Sequence, residues 1–229
     1  MLDIESGSLF KMTENNLNTI YDKLISHFGP QNWWPGDTGF EICVGAILTQ
    51  NTAWTNVETA IMNLKSIHTL GFDEMLALPD SQLAHLIKPA GYFNIKTKRL
   101  KNFLKAIKDK YETFDALSDL DTQTLREFLL SISGIGPETA DSMVLYAFNR
   151  PIFVVDAYTK RILLRHSLID EEADYFRIQD YFTDHLDEDE KLFNEYHALI
   201  VATGKHFCHK SKPKCDKCPL KEINGGPTL

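Results

Sequence analysis

The apolar residues of this chain recur at helical spacing along almost its whole length. Between residues 17 and 28 they fall three and four positions apart, which places them on one face of a helix, and Gly29-Pro30 ends the segment. No convincing run shows the alternation typical of a β-strand. Similar patterns predict further helices over 40–48, 55–66, 81–88, 96–109, 122–132, 138–148, 157–167, 174–186 and 189–203. We therefore expect an all-α fold.

Length and composition are those of a globular protein. The chain has 229 residues, 43% hydrophobic and 24% charged, which is enough for one or two domains and excludes a disordered or fibrous chain. No apolar run reaches the roughly 20 residues that a membrane span needs, and the first ten residues lack a signal-peptide core. Three of the four cysteines lie within 208–218 at metal-ligand spacing, which suits a reducing compartment. We expect a soluble, cytoplasmic protein with no membrane partner.

The net charge of −8 is distributed unevenly. Segment 170–190 holds ten acidic side chains and one arginine, a net of −9, so the rest of the chain carries +1. Two basic runs stand out in that remainder: Lys96, Lys98, Arg99, Lys101, Lys105, Lys108 and Lys110, and Lys205, Lys210, Lys212, Lys214, Lys217 and Lys221. Each run is typical either of a solvated surface or of a surface that binds phosphate groups. The overall acidity therefore does not exclude a nucleic-acid partner.

A short segment, Gly134-Ile135-Gly136-Pro137, separates two predicted helices. Proline is tolerated at the first position of a helix, and the two glycines allow a tight turn with exposed backbone N–H groups. Together with the positive end of the second helix dipole, these groups can bind a DNA phosphate without reading the bases. The same residues also fit an ordinary turn between helices. The segment predicts a helical hairpin and leaves both interpretations open.

Asp156 lies where an apolar run meets a predicted helix, in the segment Phe153–Arg161. Aspartate is among the best residues for capping a helix N-terminus, so capping alone can explain it. A carboxylate fixed at this position can also take part in catalysis. The segment by itself does not decide between these roles.

Four motifs in a fixed order carry a resemblance to a known family. They are Leu48-Thr49-Gln50-Asn51-Thr52, the Gly134–Gly136 hairpin, Val155-Asp156-Ala157-Tyr158-Thr159 and the C-terminal cysteine cluster. Over about residues 30–220 the chain resembles the endonuclease III-like superfamily of DNA glycosylases, named for its helix-hairpin-helix and the Gly/Pro-Asp segment that follows. The resemblance implies two helical domains, one over 35–149 with the hairpin and one formed by 1–34 and 150–229. It also implies an active site in the groove between them.

The resemblance implies roles for individual residues. Asp156 is the implied catalytic residue, because a fixed carboxylate stabilises the positive charge that develops on the sugar or activates the attacking water. Gln50 corresponds to the polar side chain that fills the gap left by a flipped nucleotide, although it also fits an amide bonded to backbone at a helix end. Contacts with DNA are implied for Gln50, Asn51, Gly134, Ile135, Gly136 and Thr139.

Position 138 departs from endonuclease III. Where that enzyme has the lysine that forms a Schiff base with the sugar and cuts the strand, this chain has Glu138, which cannot act as an amine nucleophile. This departure indicates a monofunctional glycosylase without AP-lyase activity, which leaves an abasic site for another enzyme. Glu138 itself suits the first turn of a helix, where the dipole favours an acid.

All three tryptophans lie near the expected base pocket. Trp33-Trp34-Pro35 and Trp54 resemble the 3-methyladenine glycosylase branch of the superfamily, in which a lysine matching Lys205 also belongs near the pocket. Aromatic faces can sandwich a flipped base and attract a positively charged alkylated purine. We therefore expect an alkylated purine as the substrate. The alternative is that the tryptophans are packing residues and that Lys205 belongs to the basic tail.

The cysteine cluster resembles the family's C-x6-C-x2-C-x5-C iron–sulfur loop but holds three of its four ligands. The three are Cys208, Cys215 and Cys218. Asn224 occupies the fourth position. The resemblance implies a [4Fe-4S] cluster with three thiolates and a fourth donor such as water, His206 or His209. Zinc bound by three cysteines and a histidine is the less favoured alternative. Either metal is expected to shape the lysine-bearing loop and to take no part in hydrolysis.

These expectations form one hypothesis with two alternatives. The hypothesis is a monofunctional DNA glycosylase of base excision repair that hydrolyses the N-glycosidic bond of an alkylated purine flipped from double-stranded DNA. We expect a monomer in the cytoplasm of a bacterium or archaeon, or elsewhere inside a cell with DNA. The alternatives are a glycosylase for an oxidised pyrimidine or a mismatched base, and a DNA-damage-binding module without catalytic activity.

Overall fold

The structure, a computed structural model, describes residues 14–31, 33–34 and 36–228. Every regular element within these ranges is helical and no β-strand occurs there, so the predicted all-α class is confirmed. The α-helices are α1 Glu14–Phe28, α2 Gly39–Thr49, α3 Trp54–Ser66, α4 Phe72–Ala77, α5 Asp80–Leu86, α6 Phe93–Tyr111, α7 Thr122–Leu130, α8 Pro137–Tyr146, α9 Ala157–Arg165, α10 Tyr175–His185 and α11 Glu190–His206. Short 3-10 helices cover Lys88–Ala90, Asp115–Asp119, Cys215–Lys217 and Ile223–Gly225.

The predicted helices agree with the structure to within three residues at each end, but α4 was not predicted. The pattern does not predict α4, because the 6 residues of this helix are too few to show a period. Helix α6 begins at Phe93, three residues before the predicted start. The residue that precedes it, Tyr92, has a left-handed backbone and makes no side-chain cap, so no capping residue marks this start in the sequence.

The chain divides into two compact units. The hairpin unit is Trp34–Arg150, and the terminal unit consists of the described parts of Met1–Trp33 and Pro151–Leu229. Helix α2 lies inside the hairpin unit with nearly all of its residues buried, as its apolar run predicts. Burial also raises the pKa of the Cys43 thiol, which is consistent with an unreactive core residue.

The predicted helical hairpin is formed by α7 and α8. The Asp121 side chain caps the start of α7, and Pro137 begins α8. Between the two helices Gly134 has a φ of +100°, a backbone conformation that favours glycine. Asp141 on α8 is fully buried and forms a two-point ion pair with Arg126 on α7, at 2.6 and 3.1 Å. This pair joins the two helices behind the turn.

The terminal unit packs α1, α9, α10 and α11 around aromatic side chains. Phe153 stacks on Phe182 with the ring centroids 3.8 Å apart and the planes 7° from parallel. Helices α9 and α11 approach closely at Gly204, where a Cβ atom would overlap the Tyr158 ring. This contact places the start of α9 against the C-terminal part of α11.

Two lysines of the first basic run are buried. Lys96 and Lys101 are 1% and 6% exposed, so neither a solvated face nor a phosphate-binding surface describes them. Lys96 Nζ donates to the carbonyl oxygens of Leu48 and Ala90, and Lys101 Nζ donates to three carbonyls at the end of α4. Carbonyl groups at the C-terminal ends of helices lack hydrogen-bond donors within the helix. Here the lysine ammonium groups donate those hydrogen bonds. The remaining lysines of this run, Lys98, Lys105, Lys108 and Lys110, are exposed.

Candidate functional site

Asp156 is the N-cap of α9. One of its carboxylate oxygens, Oδ1, accepts hydrogen bonds from the backbone N–H and the hydroxyl of Thr159, at 2.7 and 2.8 Å. The capping interpretation is therefore correct for Oδ1. It does not account for the second oxygen, Oδ2, which faces α11.

The Oδ2 atom of Asp156 lies 3.7 Å from Nε2 of His197 on α11. This distance exceeds that of a hydrogen bond, but the two side chains are only 10% and 5% exposed, so a protonated imidazole would attract the carboxylate with little screening by water. Burial acts to raise the pKa of the Asp156 carboxyl, but His197 and the Thr159 hydrogen bonds outweigh it, and the pKa lies below its ordinary value. Asp156 is therefore a carboxylate at neutral pH.

Two more of the predicted site residues lie beside this pair in the terminal unit. The Trp33 ring stacks on the His197 imidazole with centroids 5.8 Å apart and planes 29° from parallel. The Lys205 ammonium lies 5.7 Å from the Trp33 centroid, within cation–π range. The structure thus places Asp156 and Trp33 against a histidine that the sequence analysis did not single out, with Lys205 on the Trp33 ring. A lone histidine on the buried face of a long helix produces no local pattern that would reveal it.

Gln50 follows α2, and its amide is hydrogen-bonded to the helical hairpin. Its Nε2 donates to the Gly134 carbonyl at 3.1 Å and to Thr139 Oγ1 at 2.9 Å, and its Oε1 accepts from Arg99 Nη1. The interpretation of Gln50 as an amide bonded to backbone holds for one of these bonds. The Gln50 loop and the hairpin form one surface of the hairpin unit, with Asn51 exposed next to Gln50.

The hairpin turn exposes both glycines and buries Ile135. Gly134 cannot carry a side chain without strain, since a Cβ atom there would overlap Arg99 Cγ. Gly136 differs: apart from its chain neighbours, no atom of the described residues lies within 4 Å of its Cβ position. The exposed Gly136 side of the turn therefore leaves room for an anion near the positive end of α8. This geometry favours the phosphate-binding interpretation of the hairpin.

Trp34 and Trp54 pack against each other in the hairpin unit. Their ring centroids are 5.2 Å apart at 86°, and Trp34 also lies 4.9 Å from the Tyr146 ring. The Trp54 indole N–H donates to a Glu58 carboxylate oxygen at 2.8 Å. The packing interpretation describes these contacts, but Trp54 also lines a cavity of about 380 Å³, a size typical of small-molecule sites. Pro35 lies outside the described residues.

The three cysteines of the predicted metal loop are free thiols. Burial raises the pKa of Cys218, a backbone hydrogen bond from Leu220 lowers it, and the charges of Cys208 and Cys215 raise it. Cys208 Sγ accepts a hydrogen bond from Arg165 Nη1 at 3.1 Å. Cysteine thiols are the donor chemistry that an iron–sulfur cluster requires.

The fourth position of the metal loop supplies no ligand. The Asn224 amide donates to the carbonyl oxygen of His166 at 2.8 Å. It therefore forms a hydrogen bond with the backbone at the end of α9. His206 packs near the Phe28 ring, with centroids 6.0 Å apart. In the part of the chain that the structure describes, no three His, Cys, Asp or Glu side chains are gathered closely enough to hold a metal ion. The loop thus has suitable thiols without a completed site.

Comparison with known proteins decides the family. The pattern of the HhH-GPD superfamily base excision DNA repair proteins matches residues 44–186. The chain is also 50% identical over 217 residues to the putative DNA repair glycosylase MJ1434 of Methanocaldococcus jannaschii. This match covers 93% of this chain and 98% of that protein. This chain belongs to the HhH-GPD superfamily. It is a DNA glycosylase and therefore an enzyme that binds DNA.

Solved structures agree with the HhH-GPD assignment. The H. pylori 3-methyladenine DNA glycosylase MagIII, bound to 1,N6-ethenoadenine, is 28% identical with a TM-score of 0.71, covering 84% of this chain and 96% of that one. A trapped endonuclease III–DNA covalent intermediate has a TM-score of 0.79 at 18% identity, covering 93% and 97%, and shows that the fold is shared. Among the described residues, no helix combines the length and apolar character that a membrane crossing requires.

Proposed function

We propose that this HhH-GPD glycosylase hydrolyses the N-glycosidic bond of an alkylated purine in double-stranded DNA. The observation that carries the proposal is the position of the nearly buried Asp156 carboxyl group, which lies between Thr159 and His197. Positive charge develops on the sugar as the bond breaks. A carboxylate already ionised and fixed in place stabilises this charge or activates the water that attacks the sugar.

The hairpin unit supplies the DNA contacts in this proposal. The exposed backbone of Gly134–Gly136 and the start of α8 with Thr139 bind a phosphate, which holds the duplex without reading its sequence. Gln50, with Asn51 beside it, fills the space that the flipped nucleotide leaves. Gln50 would then exchange its bonds to Gly134, Thr139 and Arg99 for bonds to DNA. We propose that the enzyme acts as a monomer inside the cell, where its substrate DNA lies.

Aromatic side chains support an alkylated purine as the substrate. The pocket residues we propose are Trp33, Trp34, Pro35, Trp54 and Lys205. An alkylated purine carries positive charge, and electron-rich indole faces attract such a base more strongly than a neutral one. The similar H. pylori enzyme is a 3-methyladenine glycosylase whose structure holds 1,N6-ethenoadenine, a modified purine.

The proposed enzyme has no AP-lyase activity. Glu138 lies exposed in the first turn of α8, at the position where endonuclease III has its nucleophilic lysine. Cutting the strand through a Schiff base requires an amine, which a carboxylate does not supply. The product is an intact strand with an abasic site. An enzyme that cuts DNA at abasic sites must act next.

A panel of damaged duplexes tests both parts of the proposal. The protein is incubated with duplexes that contain 3-methyladenine, 7-methylguanine, uracil, thymine glycol or a mismatched thymine, and strand breaks are scored with and without alkali. We expect base release from the alkylated purines, breaks only after alkali, and no covalent complex trapped by borohydride. Breaks before alkali would contradict the monofunctional assignment. Release confined to thymine glycol or mismatched thymine would favour the alternative substrates.

We also propose that the C-terminal loop holds a [4Fe-4S] cluster through Cys208, Cys215 and Cys218. Relatives of the endonuclease III type commonly carry such a cluster. When bound, it would hold the lysine-bearing loop in one shape and would take no part in hydrolysis. The hydrogen bond from Arg165 to Cys208 Sγ suits a thiolate, since an ionised acceptor strengthens the bond. Zinc remains the alternative metal.

Metal analysis of protein purified without oxygen tests the cluster. We expect iron and acid-labile sulfide in the wild-type protein. Cys215→Ser should lose the iron, because a hydroxyl is a poor ligand for such a cluster. Cys43→Ala is the matched control, since Cys43 is buried in α2 and should leave the iron content unchanged. A wild-type protein with stoichiometric zinc and no sulfide would contradict the cluster assignment.

A further inference from the structure

His197 occupies a position that no sequence motif explains. It is buried on α11, stacks on Trp33 and faces the Oδ2 atom of Asp156. The cap of α9 needs only Oδ1 and Thr159, so the contact with His197 adds nothing to helix capping.

The other aspartate caps of this protein show that a cap requires neither burial nor a histidine. Asp121, Asp174 and Asp189 cap α7, α10 and α11 through the same type of bond, and all three are exposed. Burial of Asp156 has a cost, because removing a carboxylate from water favours its neutral form. The Asp156 side chain is 10% exposed and yet remains ionised. A purely structural cap gives no reason for this arrangement.

We propose that His197 is a positioning residue that holds Oδ2 of Asp156 in place and keeps the carboxylate charged during base release. This inference rests on the proposed hydrolysis by Asp156. Thr159 holds one oxygen by hydrogen bonds, and the buried His197 ring lies 3.7 Å from the other, so the carboxylate is confined on both sides before DNA binds. Electrostatic stabilisation is most effective when the charged group needs no rearrangement as the reaction proceeds.

The groups that act on the Asp156 charge come from two helices. Helix α9 contributes the neutral Thr159, and α11 contributes His197, whose proximity lowers the pKa of Asp156. Lys205, the next cation on α11, lies at the Trp33 ring. If His197 is replaced by a neutral side chain, burial is opposed by Thr159 alone. The pKa of Asp156 then rises, and the carboxylate is lost at a higher pH than in the wild-type protein.

The test compares two buried histidines. His197→Gln keeps a polar side chain and removes the imidazole, and His166→Gln makes the same substitution at a histidine that is 5% exposed and contacts the Ile223 carbonyl. The pH dependence of single-turnover base release is measured for both variants. For His197→Gln, the pH below which the release rate declines should rise by about one unit. At a fixed pH on this acid limb of the profile, release should therefore be about tenfold slower, with DNA affinity unchanged. For His166→Gln thermal stability should fall and the acid limb should stay in place.

Two results would overturn the inference. One is a folded His197→Gln protein whose acid limb coincides with that of the wild type, and the other is a loss of rate that only follows a loss of stability, as for His166→Gln. If His197→Gln does not fold, ¹³C NMR of the wild-type aspartate carboxyls, assigned with Asp156→Asn, provides the answer. Titration of Asp156 at or above the ordinary aspartate pKa would also overturn it. If the wild type releases no base, the proposed function fails, and this titration still tests the His197 contact.

Discussion

Replacing Asp156 with asparagine should slow base release by about 10³-fold and leave DNA affinity unchanged. Asparagine has nearly the same shape and caps a helix about as well as aspartate, so α9 keeps its bond from the Thr159 backbone N–H. The variant loses the negative charge that the sugar requires as the bond breaks. Single-turnover rates on an alkylated duplex and fluorescence anisotropy on the same duplex measure the two quantities.

Asp174→Asn is the matched control for this prediction. Asp174 caps α10 by accepting from the Arg177 backbone N–H at 2.9 Å, and its side chain is exposed. The same substitution there should change neither release nor binding. Release at the wild-type rate by Asp156→Asn would exclude Asp156 as the catalytic residue. A wild-type protein that binds damaged duplexes and releases nothing would instead be a DNA-damage-binding module.

Replacing Lys96 with methionine should lower the free energy of unfolding by about 2 kcal/mol. Lys96 Nζ donates to the Leu48 carbonyl at 2.7 Å, Thr52 Oγ1 at 2.6 Å and the Ala90 carbonyl at 2.8 Å. Methionine fills a similar volume but leaves these three acceptors without a donor. The cost of each lost partner outweighs the relief of removing a buried charge. Urea denaturation at neutral pH measures the change.

The pH dependence of unfolding provides a second signature of Lys96. Burial lowers the pKa of Lys96 to about 8, and the neighbouring Arg99 charge acts in the same direction. The unfolded chain, with a lysine pKa of about 10.4, binds more protons between these two values. The contribution of Lys96 to stability should therefore rise with pH from about 8 to about 10.4. Lys96→Met should lack this rise.

Lys98→Met is the control for Lys96. Lys98 lies two residues later on α6 and is exposed, so its substitution should change stability by less than about 0.5 kcal/mol and leave the pH dependence as in the wild type. Equal stability of the two variants would contradict the role given to Lys96. It would mean that the carbonyls of Leu48 and Ala90 find other donors.

Features set by neighbouring residues were predictable from the sequence. The apolar period predicts the long helices, because it determines which face of each helix is buried. Gly134 and Pro137 predict the hairpin, since the backbone angles of glycine and proline are local properties. Asp156 predicts a helix cap for the same reason, and its Oδ1 forms one. The short helix α4 escaped prediction because it contains less than two full turns.

The sequence by itself determined the helices, the hairpin turn and the cap at Asp156. Only the tertiary structure decided that Lys96 is buried whereas Lys98 is exposed, that the Gln50 amide bonds to the hairpin, and that His197 faces Asp156. These contacts join residues that are far apart in the chain. A helical period specifies which face of a helix is buried, but the partner on that face depends on how the helices pack.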